Sequence, residues 1–478
     1  MVIRQTLGRV WVLIMAGVTI PVTLPFPAST DEPHSMISPI SNEKQITHGP
    51  GGRILTNCSV WSPNGKWIVY DTRSDPVGGT FDGTQIEIVN AGSGDVRRIY
   101  ESTRGAYCGV ATFNPRRNQV VFILGPENPT PNWQYSITHR QGVLVDMDHP
   151  GVSSNLDARD ITPPYTPGAL RGGSHVHVFS PDGQWASFTY NDHVLSAQAG
   201  SPRAAVAEND ARNIGVSVPD EHVYVPHTNV RNHDGDYFTV LVTSTMDHPE
   251  PGSDQIHRAF EEGWIGNNGY VKSDGSRQMR AIAFQGEVIT KSGAPVSEVF
   301  VVDIPDNVTS PGDYGPLQGT ETTRPRPPRG TRQRRLTFTA DRKYPGIQGP
   351  RHWLRSSPDG SEIACLMKDD AGVVQLWLVS TTGANPPRQV SHDRWSISST
   401  ISWRPDGKRI AYVADNSVFT ADIRTGIARR LTARTSDADA PLPIACVYSP
   451  DGRRIAYERN LLNGNGATRS NQIFVVTE

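Results

Sequence analysis

Short apolar runs recur along nearly the whole chain, and glycine, proline, asparagine or aspartate separates one run from the next. Runs of about four to eight residues that are rich in β-branched and aromatic side chains are typical of β-strands. A Pro-Asp-Gly sequence or an equivalent joins many of the runs in pairs. Because glycine adopts the positive φ angle that a tight turn needs, the pattern predicts a series of β-hairpins.

The hairpin phrase is present in seven copies, and further strand-like segments follow most of them. The copies are SVWSPNGKWIVY at 59–70, ATFNPRRNQVVF at 111–122, HVFSPDGQWASF at 177–188, KSDGSRQMRAIAF at 272–284, LRSSPDGSEIAC at 354–365, ISWRPDGKRIAY at 401–412 and CVYSPDGRRIAY at 446–457. Four antiparallel strands per repeat, with a period of about 40 residues or more, are typical of β-propeller blades. We therefore predict an all-β fold that is a single seven-bladed β-propeller with four-stranded blades.

The two ends of the chain are predicted to meet in the last blade. The seventh repeat ends at Glu478 with a third strand, and residues 42–49, NEKQITHG, match the fourth-strand pattern. An N-terminal strand that closes the last blade removes exposed sheet edges. The predicted blades span about 53–100, 105–163, 172–246, 257–340, 348–392, 396–434 and 442–478.

The N-terminus has the pattern of a secretory signal peptide. Arginines precede an apolar stretch from Val10 to about Ile20, and proline and small residues follow it. We predict a signal peptide over residues 1–28 and a flexible segment over 29–41. A retained N-terminal anchor stays an alternative, although the apolar stretch is short for a membrane span. With cleavage, the protein would be exported to the periplasm or the cell exterior and would keep no stable membrane span.

Charge and cysteine content narrow the classes of partner and cofactor. The formal net charge is -2 at pH 7, which gives no indication of nucleic-acid binding. The four cysteines show no paired short spacing, so zinc-finger and redox motifs are absent from the sequence. Disulfides are possible in an exported protein, but we expect buried free thiols. No phosphate loop, nucleophile elbow or other motif indicates an organic cofactor.

The repeats resemble those of TolB-type propeller proteins, in which S-P-D-G-x-x-I-A-Y/F recurs. The resemblance covers nearly all of the predicted mature chain and implies the fold. It does not imply one function, because propellers of this type serve as periplasmic scaffolds, peptidase-associated domains and polysaccharide lyases.

Long insertions and histidines are concentrated in the same part of the chain. The insertions at 124–142, 191–213 and 244–263 are predicted to lie on one face of the disc, where they would surround the channel mouth. Eight of the fourteen histidines lie between residues 175 and 257, namely His175, His177, His193, His222, His227, His233, His248 and His257. A functional site at this mouth is the resulting prediction.

His175 and His177 are the candidate centre of that site. Residues two apart on a strand share a face, so the two side chains are expected to converge. His352 has the register of His175 in the fifth blade, and the three histidines could bind a metal together with a carboxylate such as Asp192. The alternative is polar packing against backbone carbonyls.

The phrase HVHVFSPDG also resembles the Q-x-x-H-x-H segment of oligogalacturonate lyases, although Gly172 stands where that family has glutamine. The resemblance implies a divalent metal, Mn, Ca or Zn, bound by His175 and His177. It also implies β-elimination on uronate-containing oligosaccharides.

β-Elimination requires neutralisation of the developing enolate charge and a neutral base. We expect His193, His222 or His257 to act as the base. The arginines that could bind the substrate carboxylate are Arg258 and Arg351, together with Arg171 and Arg280. Glu261 and Glu262 are further candidate carboxylates. The alternative function is a non-catalytic, TolB-like module that binds an envelope protein or another cell-envelope ligand.

Overall fold

A computed structural model describes residues 42–75, 79–198, 212–219, 221–464, 466 and 468–478. The predicted signal peptide, residues 1–28, and the predicted flexible segment, residues 29–41, lie outside the described residues. Among the described residues, the structure contains no helix with the length and apolar character that crossing a membrane requires.

The described residues form seven four-stranded antiparallel sheets, which confirms the predicted all-β seven-bladed propeller. The first blade contains β2 (Gly52–Ile54), β3 (Trp67–Arg73), β4 (Gln85–Asn90) and β5 (Val96–Glu101), and the second contains β6 (Cys108–Phe113), β7 (Gln119–Leu124), β8 (Gln141–Asp146) and β9 (Ser153–Asn155). The third blade contains β12 (Gly172–Phe179), β13 (Ala186–Asp192), β14 (Asn213–Val218) and β15 (Phe238–Leu241). The fourth blade contains β16 (Ile256–Trp264), β19 (Ala281–Ile289), β20 (Pro295–Asp303) and β21 (Arg332–Arg335). The fifth blade contains β22 (Arg355–Ser356), β23 (Glu362–Lys368), β24 (Val374–Ser380) and β25 (Arg388–Gln389). The sixth blade contains β26 (Ser402–Trp403), β27 (Arg409–Ala414), β28 (Ser417–Asp422) and β29 (Ala428–Arg430). The seventh blade contains β30 (Pro441–Tyr448), β31 (Arg454–Leu462), β32 (Arg469–Thr477) and the N-terminal strand β1 (Glu43–Gln45).

A few short elements lie outside the blades. They are the parallel pair β10 (Ala158–Arg159) and β11 (Ala169–Leu170), the antiparallel pair β17 (Tyr270–Val271) and β18 (Arg277–Gln278), the helix α1 (His193–Gln198) and a 3₁₀ turn at Asp437–Asp439. Helix α1 directly follows β13 of the third blade, within the insertion that the sequence analysis places at the channel mouth.

The Ser-Pro-Asp-Gly phrase forms its turn through side chains as well as through glycine. In the fifth blade, the Ser357 hydroxyl donates to Asp359 at 2.6 Å and accepts the Glu362 N–H at 3.1 Å. The Asp359 carboxylate accepts the Ser361 N–H at 3.0 Å, and Gly360 has a φ of 79°. Serine, aspartate and glycine therefore each have a separate task in the turn, which explains why all three recur.

The N-terminal strand closes the last blade, as predicted. Glu43 pairs with Val476, and Gln45 pairs with Phe474. Ile46 then enters the core between the first and last blades, and the Thr47 hydroxyl accepts the Ile473 N–H at 2.8 Å. The first and the last strand of the described chain, β1 and β32, are thus paired in the same sheet.

Tryptophans join the inner strands of neighbouring blades. The indole N–H of Trp61 donates to the Val447 carbonyl at 3.0 Å, and that of Trp264 donates to the Val178 carbonyl at 2.9 Å. These bonds satisfy buried polar groups and add to the apolar packing between blades. The inner strands are consequently fixed with respect to one another, and so are the side chains that they present to the channel.

The inner strands of the second and third blades each contain a bulge. Val110 has a φ of 58° and Val176 has a φ of 55°, which is rare for a β-branched residue. The pairing of β12 with β13 shifts between His175 and Val178. Because a bulge inserts an extra residue, strict alternation of side chains ends at this point of the strand.

All four cysteines are free thiols, in agreement with the sequence-based expectation. Cys108, Cys365 and Cys446 are buried, and Cys58 is partly buried. Burial raises the pKa of the Cys365 thiol to about 12, so this sulfur is protonated and unreactive at neutral pH.

Candidate functional site

A pocket of about 300 Å³ lies where the inner strands begin and where the long insertion of the second blade reaches the channel. The side chains that define its chemistry are Arg73, Tyr135, Arg140, His175, Arg351 and Trp353. They come from the first, second, third and fifth blades. The ring of Phe81, which also lines the pocket, stacks on Tyr135 with ring centroids 4.5 Å apart. The pocket therefore combines cationic groups with aromatic surfaces.

Two of the three arginines have carboxylate partners. Arg73 Nε lies 2.6 Å from Asp71 Oδ2, and both side chains are buried. Arg351 Nε lies 2.7 Å from Glu261 Oε1, and its guanidinium lies over the Trp353 ring. These ion pairs compensate much of the two positive charges.

Arg140 differs from both of them. It is buried, and within the described residues its Nε and Nη1 atoms have no hydrogen-bond partner and its guanidinium has no salt bridge to a carboxylate. The guanidinium lies over the Tyr135 ring, 5.4 Å from the centroid. Burial lowers the pKa of Arg140, and the charges of Arg212 and Arg351 lower it further. An arginine stays cationic in this environment, so the pocket presents a charge that favours an anionic ligand.

His175 shares the pocket with Arg140. Its Nδ1 atom is buried and has no hydrogen-bond partner among the described residues. Burial lowers the pKa of His175 well below the ordinary value, and Arg140, Arg351 and Arg212 add to this effect. His175 is therefore a neutral imidazole at physiological pH.

His177 does not join His175 in the pocket. The bulge at Val176 breaks the expected alternation, and His177 is fully buried, with its Nε2 atom 3.9 Å from Asp157 Oδ1. Burial lowers its pKa to about 3. A Cβ atom at Gly142 would stand 2.7 Å from His177 Nε2, so the glycine leaves room for the ring. The expectation that the two histidines converge on one ligand is wrong.

His352 is not available as a ligand either. Its Nδ1 atom lies 2.8 Å from the Pro350 carbonyl, and its Nε2 atom accepts the Leu366 N–H at 3.0 Å. Both ring nitrogens thus bond to the backbone, which is the alternative that the sequence analysis left open. Within the described ranges, no group of three or more histidine, cysteine, aspartate or glutamate side chains could hold a metal ion. The proposed donor set of His175, His177 and His352 does not fit a divalent metal.

This role of His352 can be tested by stability. His352→Leu leaves the buried Leu366 N–H without its acceptor, so we expect a loss of about 1–3 kcal/mol in the free energy of unfolding. Denaturant titration measures the loss. His352→Gln, whose side-chain oxygen can accept the same N–H, should restore part of the stability. Equal stability of wild type and His352→Leu would contradict the structural role.

The other predicted catalytic residues are dispersed. The described wall of the pocket includes Arg351 but not His193, His222, His257 or Arg258. His222 Nδ1 lies 3.2 Å from Asp236, His257 Nδ1 lies 3.3 Å from the Met246 carbonyl, and the Arg258 guanidinium lies over the Phe260 ring. His193 begins helix α1 and contacts a second histidine, His139.

Two further arginines from the sequence analysis have structural partners. Arg171 is fully buried and donates to Asp192 at 2.8 Å, and it also bonds to the carbonyls of Thr320 and Thr323. Arg280 forms an ion pair with Asp182 at 2.9 Å. Arg171 therefore ties the third blade to the long loop of the fourth blade, and Asp192 is its counter-ion.

Arg140, Tyr135 and His139 were not predicted as site residues from the sequence. All three belong to the 124–142 insertion, which the sequence analysis did place at the channel mouth. The length of that insertion and its aromatic and basic content were the available signal. Which of its side chains turn inward depends on the fold of the loop and could not be inferred from spacing.

Glu262 lies on the inner strand β16 of the fourth blade, and its side chain is shielded from solvent. Its Oε2 atom accepts a hydrogen bond from Thr189 Oγ1 at 3.0 Å, while Oε1 has no partner among the described residues. Burial raises the pKa of Glu262 from 4.5 to about 7.

The raised pKa of Glu262 predicts pH-dependent stability. Since the folded state binds the Glu262 proton more tightly than the unfolded state, the contribution of Glu262 to stability is greatest below pH 4.5 and is lost as the pH rises to about 7. Wild type should lose about 3 kcal/mol over this range relative to Glu262→Gln. Denaturant unfolding at several pH values measures the difference. The exposed control Glu250→Gln should behave like wild type, and parallel curves for wild type and Glu262→Gln would refute the prediction.

Comparison with known proteins assigns the family. Residues 107–233 match the family model described as "Protein of unknown function (DUF3748)". The chain is 46% identical over 418 residues to "Uncharacterized protein YidR" of Escherichia coli strain K12, and the match covers 87% of this chain and 94% of that protein. The chain belongs to the YidR family. The matched family segment includes Tyr135, Arg140 and His175 of the pocket.

Solved structures show the likeness in fold. An oligogalacturonate lyase in complex with manganese matches with a TM-score of 0.55 and 9% identity, over 93% of this chain and 95% of that chain. TolB from Acinetobacter baumannii matches with a TM-score of 0.33 and 11% identity, over 87% and 81%. The predicted propeller and its resemblance to an oligogalacturonate lyase are confirmed at the level of the fold.

Proposed function

We propose that this protein binds uronate-containing oligosaccharides in the pocket at the channel mouth and cleaves them by β-elimination. The observation that carries the proposal is Arg140, a buried guanidinium without a carboxylate partner among the described residues, in the wall of a 300 Å³ pocket. A carboxylate would supply the missing charge and paired hydrogen bonds. The Phe81, Tyr135 and Trp353 side chains line the same pocket and give part of its wall an apolar character.

Arginine supplies what the elimination needs at the carboxylate. Removal of the proton next to a carboxylate leaves an enolate-like charge, and a fixed cation in a dry pocket stabilises that charge more than water does. Arg140 and Arg351 both line the pocket, which supports this role. The structurally similar oligogalacturonate lyase is a manganese complex, but the described residues of this chain do not offer the donor set for a metal, so the proposed step uses none.

A second candidate function is binding without cleavage, as a module for an acidic cell-envelope ligand or an envelope protein. One observation favours it. Burial, together with the arginines around His175, lowers the pKa of this imidazole well below its ordinary value, which makes His175 a weak base for abstracting a proton. The same charges would favour an acidic ligand that is bound and left intact.

The two candidates differ in a direct experiment on the wild-type protein. Oligogalacturonates and other uronate oligosaccharides are tested for binding by calorimetry and for an unsaturated product by ultraviolet absorbance. The matched control is the same oligosaccharide with its carboxyl groups reduced to alcohols, which should not bind. Binding with product supports the lyase, and binding without product supports the module. Absence of binding by every uronate, or equal binding of the reduced control, would overturn the proposal.

We also propose that the protein acts in the periplasm or outside the cell. The sequence pattern of residues 1–28 supports export. Mass spectrometry of the protein recovered from the envelope and medium fractions should show an N-terminus beyond residue 28. Recovery of a chain that still begins at Met1 in the cytoplasmic fraction would contradict this proposal.

A further inference from the structure

A second pocket, of about 560 Å³, is also lined by the 124–142 insertion. It has no lining residue in common with the pocket at the channel mouth, so the two are separate sites. Strands β7, β8 and β9 of the second blade contribute to its wall, together with Trp133, Arg159 and Arg231. Its volume lies within the range of ligand-binding pockets, about 300–1,000 Å³. We call it the second-blade pocket.

The charged side chains of the second-blade pocket are predominantly cationic. Its wall contains Arg104, Arg159 and Arg231, and one carboxylate, Glu127. Arg104 pairs with Glu127 at 3.2 Å, so these two charges compensate each other. Within the part of the chain that the structure describes, the guanidiniums of Arg159 and Arg231 bond only to backbone carbonyls and form no salt bridge. The pocket therefore has a local excess of positive charge.

Arg159 is buried and is held by the backbone, yet it keeps free donors. Its Nη2 atom donates to the carbonyls of His139 and Arg140, and its Nε atom donates to the Gly172 carbonyl at 3.4 Å. These bonds use three of the five N–H groups of an arginine side chain, so Nη1 has no partner among the described residues. Burial lowers the pKa of Arg159 to about 10, and the charge of Asp157 counteracts part of this effect. Arg159 is thus cationic at neutral pH.

Arg231 lies over the same indole ring as Arg159. The guanidinium carbon of Arg231 is 5.5 Å from the Trp133 ring centroid, and that of Arg159 is 6.0 Å from it. Arg231 donates from Nη1 to the Glu127 carbonyl at 2.9 Å and from Nη2 to the Asn128 carbonyl at 3.1 Å, which leaves three of its N–H groups. The positive charge of Arg231 lowers the pKa of Arg159, so the two cations repel each other. An anion bound by both would relieve this repulsion.

We propose that the second-blade pocket binds a phosphorylated sugar, with its phosphate group held by Arg159 and Arg231. A phosphate monoester carries a charge of about −1.5 to −2 at neutral pH and has three strong acceptor oxygens. It can accept from both guanidiniums, whereas one carboxylate supplies a single negative charge. The exposed side chains of Asn128, Thr130 and Ser153 line the same pocket and offer hydrogen bonds to sugar hydroxyls. The proposal is independent of the proposed function, because the two pockets share no residue.

Calorimetry on the full-length protein with glucose 6-phosphate tests the class of ligand. Wild type should bind glucose 6-phosphate, inorganic phosphate should displace it, and glucose should not bind. Galacturonate carries one negative charge, so it should displace glucose 6-phosphate at least about tenfold less effectively than inorganic phosphate does. Absence of glucose 6-phosphate binding, or equal displacement by galacturonate and phosphate, would overturn the proposal.

Substitution of Arg231 tests the location of the site. Arg231→Gln should weaken glucose 6-phosphate binding by at least about tenfold, because it removes the charge and the paired donors. Arg231→Lys keeps the charge but not the planar fork, so its affinity should be intermediate. The matched control is Arg98→Gln, since Arg98 is exposed, pairs with Glu101 at 2.9 Å and lies outside the pocket wall. Its affinity should stay within about twofold of wild type, and wild-type affinity in Arg231→Gln would contradict the proposal.

The indole of Trp133 provides a local readout in the wild-type protein. Its N–H is buried and has no hydrogen-bond partner among the residues that the structure describes. In protein with ¹⁵N-labelled tryptophan, glucose 6-phosphate should shift the Trp133 indole signal, which is identified by its absence from the spectrum of Trp133→Phe. The same ligand concentration should leave this signal unshifted in Arg231→Gln. Shifts of other indole signals without a shift of the Trp133 signal would place the ligand elsewhere and overturn the inference.

Discussion

Arg140→Gln is expected to weaken binding of a uronate oligosaccharide by about 30- to 1000-fold, which corresponds to about 2–4 kcal/mol. The physical reason is that Arg140 has no carboxylate partner among the described residues and offers two buried nitrogen atoms without hydrogen-bond partners. Glutamine keeps polarity but removes the charge and the paired donors. Isothermal calorimetry with a uronate oligosaccharide measures the loss, and the loss should be greater at low salt.

The same substitution should affect stability in the opposite direction. A buried cation without a counter-ion is unfavourable for folding, so Arg140→Gln is expected to leave the free energy of unfolding unchanged or to raise it by about 1 kcal/mol. Arg104→Gln is the matched control, because Arg104 is exposed and pairs with Glu127 on the surface. Arg104→Gln should change neither affinity nor stability by much. Full affinity in Arg140→Gln would show that the ligand is bound elsewhere.

Ile46→Asp should cause the largest loss of stability, about 4 kcal/mol or more. Ile46 follows the closing strand β1 and is 2% exposed in the core between the first and last blades. A carboxylate at this position would be buried without a partner, and the backbone pairing of β1 with β32 would be weakened with it. Thermal and denaturant unfolding measure the effect, which would extend to both blades that meet at the closure.

The control for Ile46→Asp lies two residues further along the chain. His48 is exposed, so His48→Asp introduces the same negative charge at the surface. We expect His48→Asp to unfold within about 0.5 kcal/mol of wild type. If Ile46→Asp were as stable as His48→Asp, closure by the N-terminal strand would not contribute to the stability of the propeller.

The fold was predictable because its signals are local. The Ser357-Pro-Asp359-Gly360 turn is specified by contacts among residues only a few positions apart, and the apolar strands on each side are continuous in the sequence. Repetition of this unit gave the number of blades, and the missing fourth strand at Glu478 indicated closure by the N-terminus.

Only the location of the candidate site, and not its residues, could be predicted from the sequence. The long insertions indicated the channel mouth, and the pocket does include Tyr135, Arg140 and Arg351 there. The prediction that His175 and His177 form a metal site assumed that side chains alternate strictly along β12. The bulge at Val176 interrupts this alternation, and no sequence motif indicates the bulge. His352 failed because its ring nitrogens bond to backbone groups of the same blade.

By itself, the sequence determined six of the seven hairpins and the closing of the last blade, because turn residues and strand periodicity act over short distances. The hairpin predicted at 272–284 was wrong: its turn joins β17 to β18 outside the blade, and the inner strand of the fourth blade is β16, which lies in the predicted insertion at 244–263. Only the tertiary structure decided that His175, Arg140 and Arg351 share one pocket while His177 and His352 do not join it. It also decided that His139 meets His193, which is 54 positions away in the chain. Contacts of this kind depend on how loops fold over inner strands and on one bulged residue, and neither is encoded in spacing.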